Sequence, residues 1–110
     1  MQEHLFVYGT LAPNKPNEHI LAAITGTWTT GYVQGTLQEA GWGAKLGFAG
    51  LILDENGQHI LGHLFSSEQL EQIWQSLDAF EGDEYKRVLT DVYLHNGQIQ
   101  QAFIYVLNES

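Results

Sequence analysis

One carboxylate stands on the predicted buried face of a helix in the second half of this sequence. Apolar residues recur there at helical spacing, namely Leu70, Ile73, Trp74, Leu77 and Phe80. Glu81 follows Leu70 by eleven residues, and eleven steps of about 100° bring the two side chains to within about 20° of the same direction. A carboxylate on a core-facing stripe costs free energy unless it has a partner or a purpose.

The position of Glu81 predicts a raised carboxyl pKa. Burial disfavours the charged form, and the helix dipole disfavours negative charge at the C-terminal end. Asp78, Asp83 and Glu84 add like charge nearby. A carboxyl group that titrates near neutral pH is suited to general base or acid catalysis.

A plainer interpretation of the same segment stays open. If the helix frays before Glu81, the carboxylate points to water or pairs with Lys86 or Arg87. Arg87 is one of only four cations in the chain. We expect Arg87 to balance this acidic corner rather than to bind a substrate.

A second stretch with chemical potential lies near the start of the chain, Val7-Tyr8-Gly9-Thr10-Leu11. The apolar run from Leu5 to Tyr8 predicts a short buried strand, which Gly9 ends. A glycine after a strand permits a sharp turn or the close approach of a ligand. The stretch by itself leaves both interpretations open.

The elements that must position these residues are predicted to be mainly strands. A strand is expected from Gly26 to Gln38. Asn-Gly pairs between apolar runs predict two hairpins, one joining residues 51–55 to 58–61 and one joining 88–95 to 98–107. Both alternating faces of the last strand are apolar, which favours a closed barrel or a sheet covered by a helix.

Two helices are predicted. The main helix is expected to begin after Ser66, with Gln69 completing a capping box, and to stop at Gly82. A short helix over residues 18–24 is expected after an Asn17 cap. The glycine-rich residues 41–50 are either a loop that folds over a ligand or a plain surface connection.

Composition limits the classes of function. The 110 residues are expected to form one domain, residues 1–110, with enough length for a core. The formal net charge of −9 argues against nucleic-acid and anionic-membrane partners and suits a protein that handles small molecules. The absence of cysteine and of a secretory signal pattern favours a cytoplasmic location.

Other chemistries fit the sequence poorly. His59 and His63 are four residues apart, but on a strand that spacing separates them by about 13 Å. No nucleophile elbow or phosphate-binding loop is present. We therefore predict no metal and no cofactor.

The two stretches together resemble the gamma-glutamylcyclotransferase-like superfamily, and most closely its gamma-glutamylamine cyclotransferase and AIG2-like branch. The family's Tyr-Gly-Ser/Thr-Leu motif is matched by residues 8–11. Its acidic helix-end motif is matched by Leu77-Asp78-Ala79-Phe80-Glu81-Gly82, followed by Tyr85 and Arg87. The resemblance covers essentially the whole chain.

This resemblance implies an α+β fold, a small mixed β-barrel of about six strands with one main helix and one short helix. It implies an enzyme that converts a γ-glutamyl amine or amino acid to 5-oxoproline and a free amine. Glu81 would be the catalytic general base and acid, and the substrate-binding candidates are Tyr8, Gly9, Thr10, Leu11, Tyr85 and Tyr105. The two last tyrosines could equally be core residues with satisfied hydroxyl groups.

Several alternatives stay open. The leaving group could be a free amino acid, a lysine side-chain amine or an antibiotic-like amine, and the oligomeric state is not predicted. The same fold could also serve as a non-catalytic module that binds a small ligand. The intact glutamate favours the enzyme, because a pure binding module has little need of a carboxylate on a core face.

Overall fold

Residues 2–8, 19–38, 50–83 and 85–107 are described by the computed structural model of the chain. They form six strands, two α-helices and a 3₁₀ turn. In chain order these are β1 (Glu3–Val7), α1 (His19–Ala22), β2 (Thr27–Gln38), β3 (Gly50–Leu53), β4 (Gln58–Ser67), the 3₁₀ turn (Leu70–Gln72), α2 (Trp74–Glu81), β5 (Tyr85–Leu94) and β6 (Ile99–Leu107).

Five of the strands close into a barrel. The strand order is β3-β2-β4-β1-β6-β5, and a further pairing between β2 and β5 closes the sheet and leaves β3 outside the ring. Strands β1 and β6 run parallel, whereas the other neighbours are antiparallel. The predicted mixed barrel of about six strands, with one main and one short helix, is confirmed.

Two buried apolar clusters lie on either side of β6. One fills the barrel and includes Phe6, Val33, Leu64, Val92, Ile104 and Val106. The other packs α2 and the 3₁₀ turn against the barrel wall and includes Leu5, Val7, Phe65, Leu70, Leu77 and Tyr105. The two faces of β6 contribute to different clusters, which confirms that both faces are apolar, as the sequence pattern indicated.

The connection between β3 and β4 differs from the predicted hairpin. Both strands pair with β2, on opposite sides of it, so that Leu53 and Gln58 each lie opposite Gly35. The chain at Asn56 and Gly57 therefore crosses β2 instead of joining neighbouring strands. A Cβ atom at Gly57 would lie 2.6 Å from the Gly35 carbonyl oxygen, so only glycine fits this crossing.

The second predicted hairpin is confirmed as β5 and β6. Gly97 has a φ of 90°, which is the left-handed conformation that an Asn-Gly hairpin turn requires. The Gln98 backbone N–H donates to Asn96 Oδ1 at 2.9 Å, and the Leu94 N–H donates to the Gln98 carbonyl at 2.8 Å. This hairpin brings Tyr85 and Arg87 opposite the last residues of β6.

The predicted start of the main helix is wrong. Ser66 is the penultimate residue of β4, and its hydroxyl group is hydrogen-bonded to His4 Nδ1 at 2.7 Å. Gln69 accepts from the Thr25 N–H at 2.8 Å through its side-chain oxygen. Both members of the expected capping box therefore have partners elsewhere, and α2 begins only at Trp74 after the 3₁₀ turn.

Some predictions lie outside the described residues. These are the Asn17 cap, the glycine-rich loop at 41–49, and Gly9, Thr10 and Leu11. The short helix is described from His19 to Ala22. Of the predicted loop, Gly50 belongs to β3, where a Cβ atom would lie 2.4 Å from Leu107 side-chain atoms.

Packing of α2 against the barrel is expected to contribute strongly to stability. Leu77 is fully buried in the cluster beneath this helix, so Leu77→Ala should lower the free energy of unfolding by about 3 kcal/mol. Urea denaturation measures this change. Leu61→Ala is the matched control, because Leu61 is 78% exposed and its removal should cost less than about 0.5 kcal/mol. Equal losses in the two variants would contradict this account of the packing.

Candidate active site

Glu81 is the last residue of α2 and lies on the helix face that meets the barrel. Trp74, Leu77 and Glu81 follow an i, i+3, i+7 spacing within one regular helix, and Leu77 is fully buried. The angle between Leu70 and Glu81 that was counted along one continuous helix does not apply, because Leu70 belongs to the 3₁₀ turn. The shorter helix nevertheless places Glu81 on the same face.

The Glu81 carboxyl group is half-buried, and burial raises its pKa to about 7. The helix does not fray before this residue. The chain leaves α2 at Gly82, whose φ of 80° favours glycine and whose N–H donates to the Asp78 carbonyl at 3.0 Å. The helix end therefore holds Glu81 in a defined position, in a protonation state that is sensitive to pH near neutrality.

Tyr8 directly follows β1 and lies near Glu81. Its hydroxyl group donates a hydrogen bond of 2.7 Å to the Tyr105 carbonyl oxygen. Burial raises the pKa of the Tyr8 hydroxyl, and the negative charge of Glu81 raises it further. The structure thus brings the first residue of the Tyr-Gly-Thr-Leu stretch within electrostatic range of Glu81.

Tyr105 is a buried residue of β6 whose hydroxyl group has a partner. It donates a hydrogen bond of 2.6 Å to Asp78 Oδ1, and its side chain belongs to the cluster beneath α2. Burial and the Asp78 carboxylate raise the pKa of the Tyr105 hydroxyl, so this group stays protonated.

Arg87 forms its ion pair with Asp78, at 3.5 Å between Nη2 and Oδ2. Its guanidinium carbon lies 4.3 Å from the centre of the Trp74 ring and 5.3 Å from that of Phe103. The expectation that Arg87 balances the acidic corner is therefore confirmed for Asp78. The sequence did not indicate the aromatic contacts, since Phe103 is distant along the chain.

An open cavity of about 470 Å³ lies beside the end of α2. It is lined by Asp78, Gly82, Asp83, Tyr85, Lys86, Arg87 and Tyr105. The two tyrosines predicted as pocket residues therefore line one cavity. Both signs of charge border it, so it can accept polar groups of either sign.

The two histidines considered as metal ligands each pack against a different aromatic side chain. His59 stacks on Tyr32 at 4.0 Å between ring centres, and His63 meets the edge of Trp28 at 6.1 Å. Over the described ranges, no three histidine, aspartate or glutamate side chains come together in a way that could hold a metal ion. In the same ranges, no helix is long and apolar enough to span a membrane.

Solved structures with this fold resemble the chain over nearly its whole length. YkqA of Bacillus subtilis is 28% identical, with a TM-score of 0.74, and the match covers 98% of this chain and 36% of YkqA. An AIG2-like protein of Mus musculus is 24% identical, with a TM-score of 0.78, over 99% of this chain and 79% of that one. A gamma-glutamyl cyclotransferase is 16% identical, with a TM-score of 0.72, over 98% and 68%. The chain thus spans about a third of the length of YkqA.

The mixed barrel with its two helices is the fold that these solved structures share with this chain. The family model for gamma-glutamyl cyclotransferase, AIG2-like proteins matches residues 5–110. The chain therefore belongs to this family. No functionally curated protein sequence matches it.

Proposed function

We propose that the chain is a cyclotransferase that converts a γ-glutamyl amine or γ-glutamyl amino acid to 5-oxoproline and a free amine. The observation that carries the proposal is the Glu81 carboxyl group, half-buried and with a pKa raised by burial to about 7. Family membership supports the reaction class. The absence of cysteine supports a cytoplasmic setting.

In the proposed reaction Glu81 carries a proton from the attacking nitrogen to the departing nitrogen, and the attacking nitrogen loses two protons in all. Its carboxylate takes a proton from the α-ammonium group of the glutamyl substrate, and the freed amine attacks the γ-carbonyl carbon. A carbon–nitrogen bond forms to close the five-membered lactam, and the bond to the leaving amine breaks. The ring nitrogen loses its second proton when it becomes the lactam N–H. Glu81 returns the first proton to the departing nitrogen, and the departing amine takes up the second as it becomes an ammonium ion, so that no water is consumed.

The proposed substrate site is the stretch from Tyr8 to Leu11. Backbone N–H groups after Tyr8 would bind the glutamyl carboxylate or the developing oxyanion. The attack is intramolecular, so binding the glutamyl group in a curled conformation would supply much of the rate. The electrostatic influence of Glu81 on Tyr8 supports this arrangement, because it requires the two residues to be near each other.

The leaving group is expected to face the cavity lined by Tyr85 and Tyr105. The carboxylates of Asp78 and Asp83 and the cations of Lys86 and Arg87 border this cavity. A polar leaving amine therefore fits it better than an apolar one. We expect contacts with β5, β6 and the end of α2 to decide which substrates are accepted.

A substrate panel tests the proposed reaction. The purified chain is incubated with three kinds of substrate: γ-glutamyl amino acids, lysine carrying a γ-glutamyl group on its side-chain amine, and simple γ-glutamyl alkylamines. The product 5-oxoproline is detected by mass spectrometry. Product from at least one member of the panel is expected. The absence of product, together with no binding of 5-oxoproline, would favour a non-catalytic binding module instead.

The pH dependence of kcat/KM should follow the Glu81 carboxyl group. Only the ionised carboxylate can accept the proton, so kcat/KM should fall as the pH drops below about 7 and level off above it. The measurement is the initial rate at low substrate from pH 5 to pH 9. A profile that is flat from pH 5 to pH 8 would contradict the role of Glu81 as the base.

A further inference from the structure

We propose that Asp78 is a positioning residue that, through the Tyr105 hydroxyl group, holds the end of α2 carrying Glu81 against β6. The inference rests on the proposed function for its effect on turnover. It goes beyond that function because it assigns a positioning role to Asp78, and because it gives the Tyr105 hydroxyl group a role other than substrate binding.

Both carboxylate oxygens of Asp78 are used, and each contacts a different strand. Oδ1 accepts the hydrogen bond from Tyr105 of β6 at 2.6 Å, and Oδ2 lies 3.5 Å from Arg87 Nη2 of β5. Asp78 lies one helical turn before Glu81, so the two side chains project from neighbouring positions of the same helix. The Asp78 contacts therefore join the last turn of α2 to the β5–β6 hairpin.

Arg87 offers the exposed Asp78 carboxylate a cation that is itself in contact with two aromatic rings. The guanidinium group lies against Trp74 and Phe103, and its Nη1 is buried without a hydrogen-bond partner among the described residues. The ring faces attract the cation, and Asp78 supplies the opposite charge. The ring contacts therefore hold the guanidinium group in place beside Asp78 Oδ2.

Tyr105 also joins Asp78 to the other part of the proposed site. While its hydroxyl group donates to Asp78, its carbonyl oxygen accepts the hydrogen bond from the Tyr8 hydroxyl at 2.7 Å. One residue of β6 thus contacts both α2 and the residue that begins the proposed glutamyl-binding stretch. The position of Glu81 relative to Tyr8 therefore depends on this shared contact.

The Tyr105 hydroxyl group acts here as a fixed donor. It lies within range of the charges of Asp78, Arg87 and Glu81. Because burial and Asp78 keep it protonated, its hydrogen bond to Asp78 persists across the pH range in which Glu81 titrates. The contact therefore holds α2 in place in both protonation states of the catalytic carboxyl group.

Tyr105→Phe and Asp78→Asn test the inference by turnover. Tyr105→Phe removes only the hydroxyl group and keeps the ring and the carbonyl that binds Tyr8. Asp78→Asn keeps an acceptor oxygen and removes the charge. In Tyr105→Phe we expect kcat to fall about tenfold with KM within about threefold, because a displaced base slows the reaction without weakening binding. In Asp78→Asn we expect a smaller loss of kcat, because the amide oxygen still accepts from the Tyr105 hydroxyl group while the ion pair with Arg87 is lost. Asp91→Asn is the matched control, since Asp91 is exposed on β5 and should leave both constants unchanged.

Amide hydrogen exchange tests the same contact without turnover. In Tyr105→Phe, the amides of residues 77–82 should exchange about tenfold faster relative to those of the β5–β6 hairpin in the same sample. Because both rates come from one sample, their ratio cancels the effect of any change in global stability on the exchange rates. Asp91→Asn should leave the ratio unchanged.

The turnover and hydrogen-exchange measurements together distinguish failure of the inference from failure of the proposed function. An unchanged exchange ratio in Tyr105→Phe, or an unchanged kcat in an active enzyme, overturns the positioning role. If the wild-type chain forms no 5-oxoproline, the proposed function fails, and the exchange ratio still decides whether Asp78 and Tyr105 hold α2 in place.

Discussion

Glu81→Gln is expected to reduce 5-oxoproline formation by at least about 1,000-fold, the largest effect of any single substitution that we expect in this chain. The amide keeps the size and hydrogen-bonding capacity of the carboxyl group but cannot accept a proton from an ammonium group. General base and acid catalysis contributes about 100- to 10,000-fold. Glu81 is proposed to supply both steps, which places the expected loss in the upper part of that range.

The loss should lie in kcat and leave substrate affinity nearly unchanged. Glutamine fills the same half-buried position, so the cavity and the Tyr8 contacts are retained. Glu71→Gln is the matched control, because it makes the same change at an exposed residue of the 3₁₀ turn before α2. Retention of more than a tenth of the wild-type kcat by Glu81→Gln would contradict its role as the catalytic base.

The same substitution should stabilise the protein at alkaline pH. Burial raises the Glu81 pKa from 4.5 to about 7, so the folded state prefers the protonated carboxyl group. This preference stabilises the fold fully below the unfolded-state pKa, and the stabilisation is lost as the pH rises through the folded-state pKa. Above about pH 7, ionised Glu81 therefore destabilises the native state, whereas glutamine carries no such penalty.

The size of this stabilisation follows from the pKa difference. A rise from 4.5 to about 7 corresponds to at most about 3 kcal/mol. Solvent screens part of this at a half-buried position, so we expect a gain of about 1–2 kcal/mol at pH 8 and nearly none at pH 4. Urea denaturation of both proteins at intervals between these values measures the difference.

The pH dependence distinguishes this effect from ordinary changes in packing. A packing change would shift the free energy of unfolding by the same amount at every pH. Glu71→Gln should show no increase with pH, because Glu71 is exposed. A Glu81→Gln difference that does not grow between pH 4 and pH 8 would contradict the raised pKa. A stabilised but inactive variant is the pattern expected of a residue kept for catalysis at a cost in stability.

The helix that carries Glu81 was predictable from local sequence, whereas its beginning was not. The spacing of Trp74, Leu77 and Glu81 is a property of the helix itself, and Gly82 ends it as expected. The start depended on Ser66 and Gln69, whose side chains bond to residues of β1 and of the segment before β2. Contacts so far apart along the chain leave no local pattern.

The two Asn-Gly turns show the same limit for strand pairing. Both turns occur, but only Asn96-Gly97 joins strands that pair with each other. At Asn56-Gly57 the neighbouring strands lie on opposite sides of β2. Because β3 and β4 are both antiparallel to β2, the chain does not reverse its direction at Asn56-Gly57. The rest of the sheet therefore decides whether an Asn-Gly turn joins two paired strands.

Within the candidate site, the sequence indicated residues one by one and not their contacts. Position and family resemblance point to Glu81, Tyr85 and Tyr105. The hydrogen bonds that join Asp78, Tyr105 and Tyr8 link α2, β6 and the end of β1. These contacts follow from barrel closure, which no single motif encodes.

The most direct test of the proposed cyclotransferase is the isotopic composition of its product. A γ-glutamyl substrate that the panel identifies is turned over in water enriched in ¹⁸O, and the products are analysed by mass spectrometry. Intramolecular attack by the α-amine predicts unlabelled 5-oxoproline with one equivalent of free amine, and neither product with Glu81→Gln. Labelled glutamate would instead show that water attacks the γ-carbonyl, and it would contradict the proposed cyclisation.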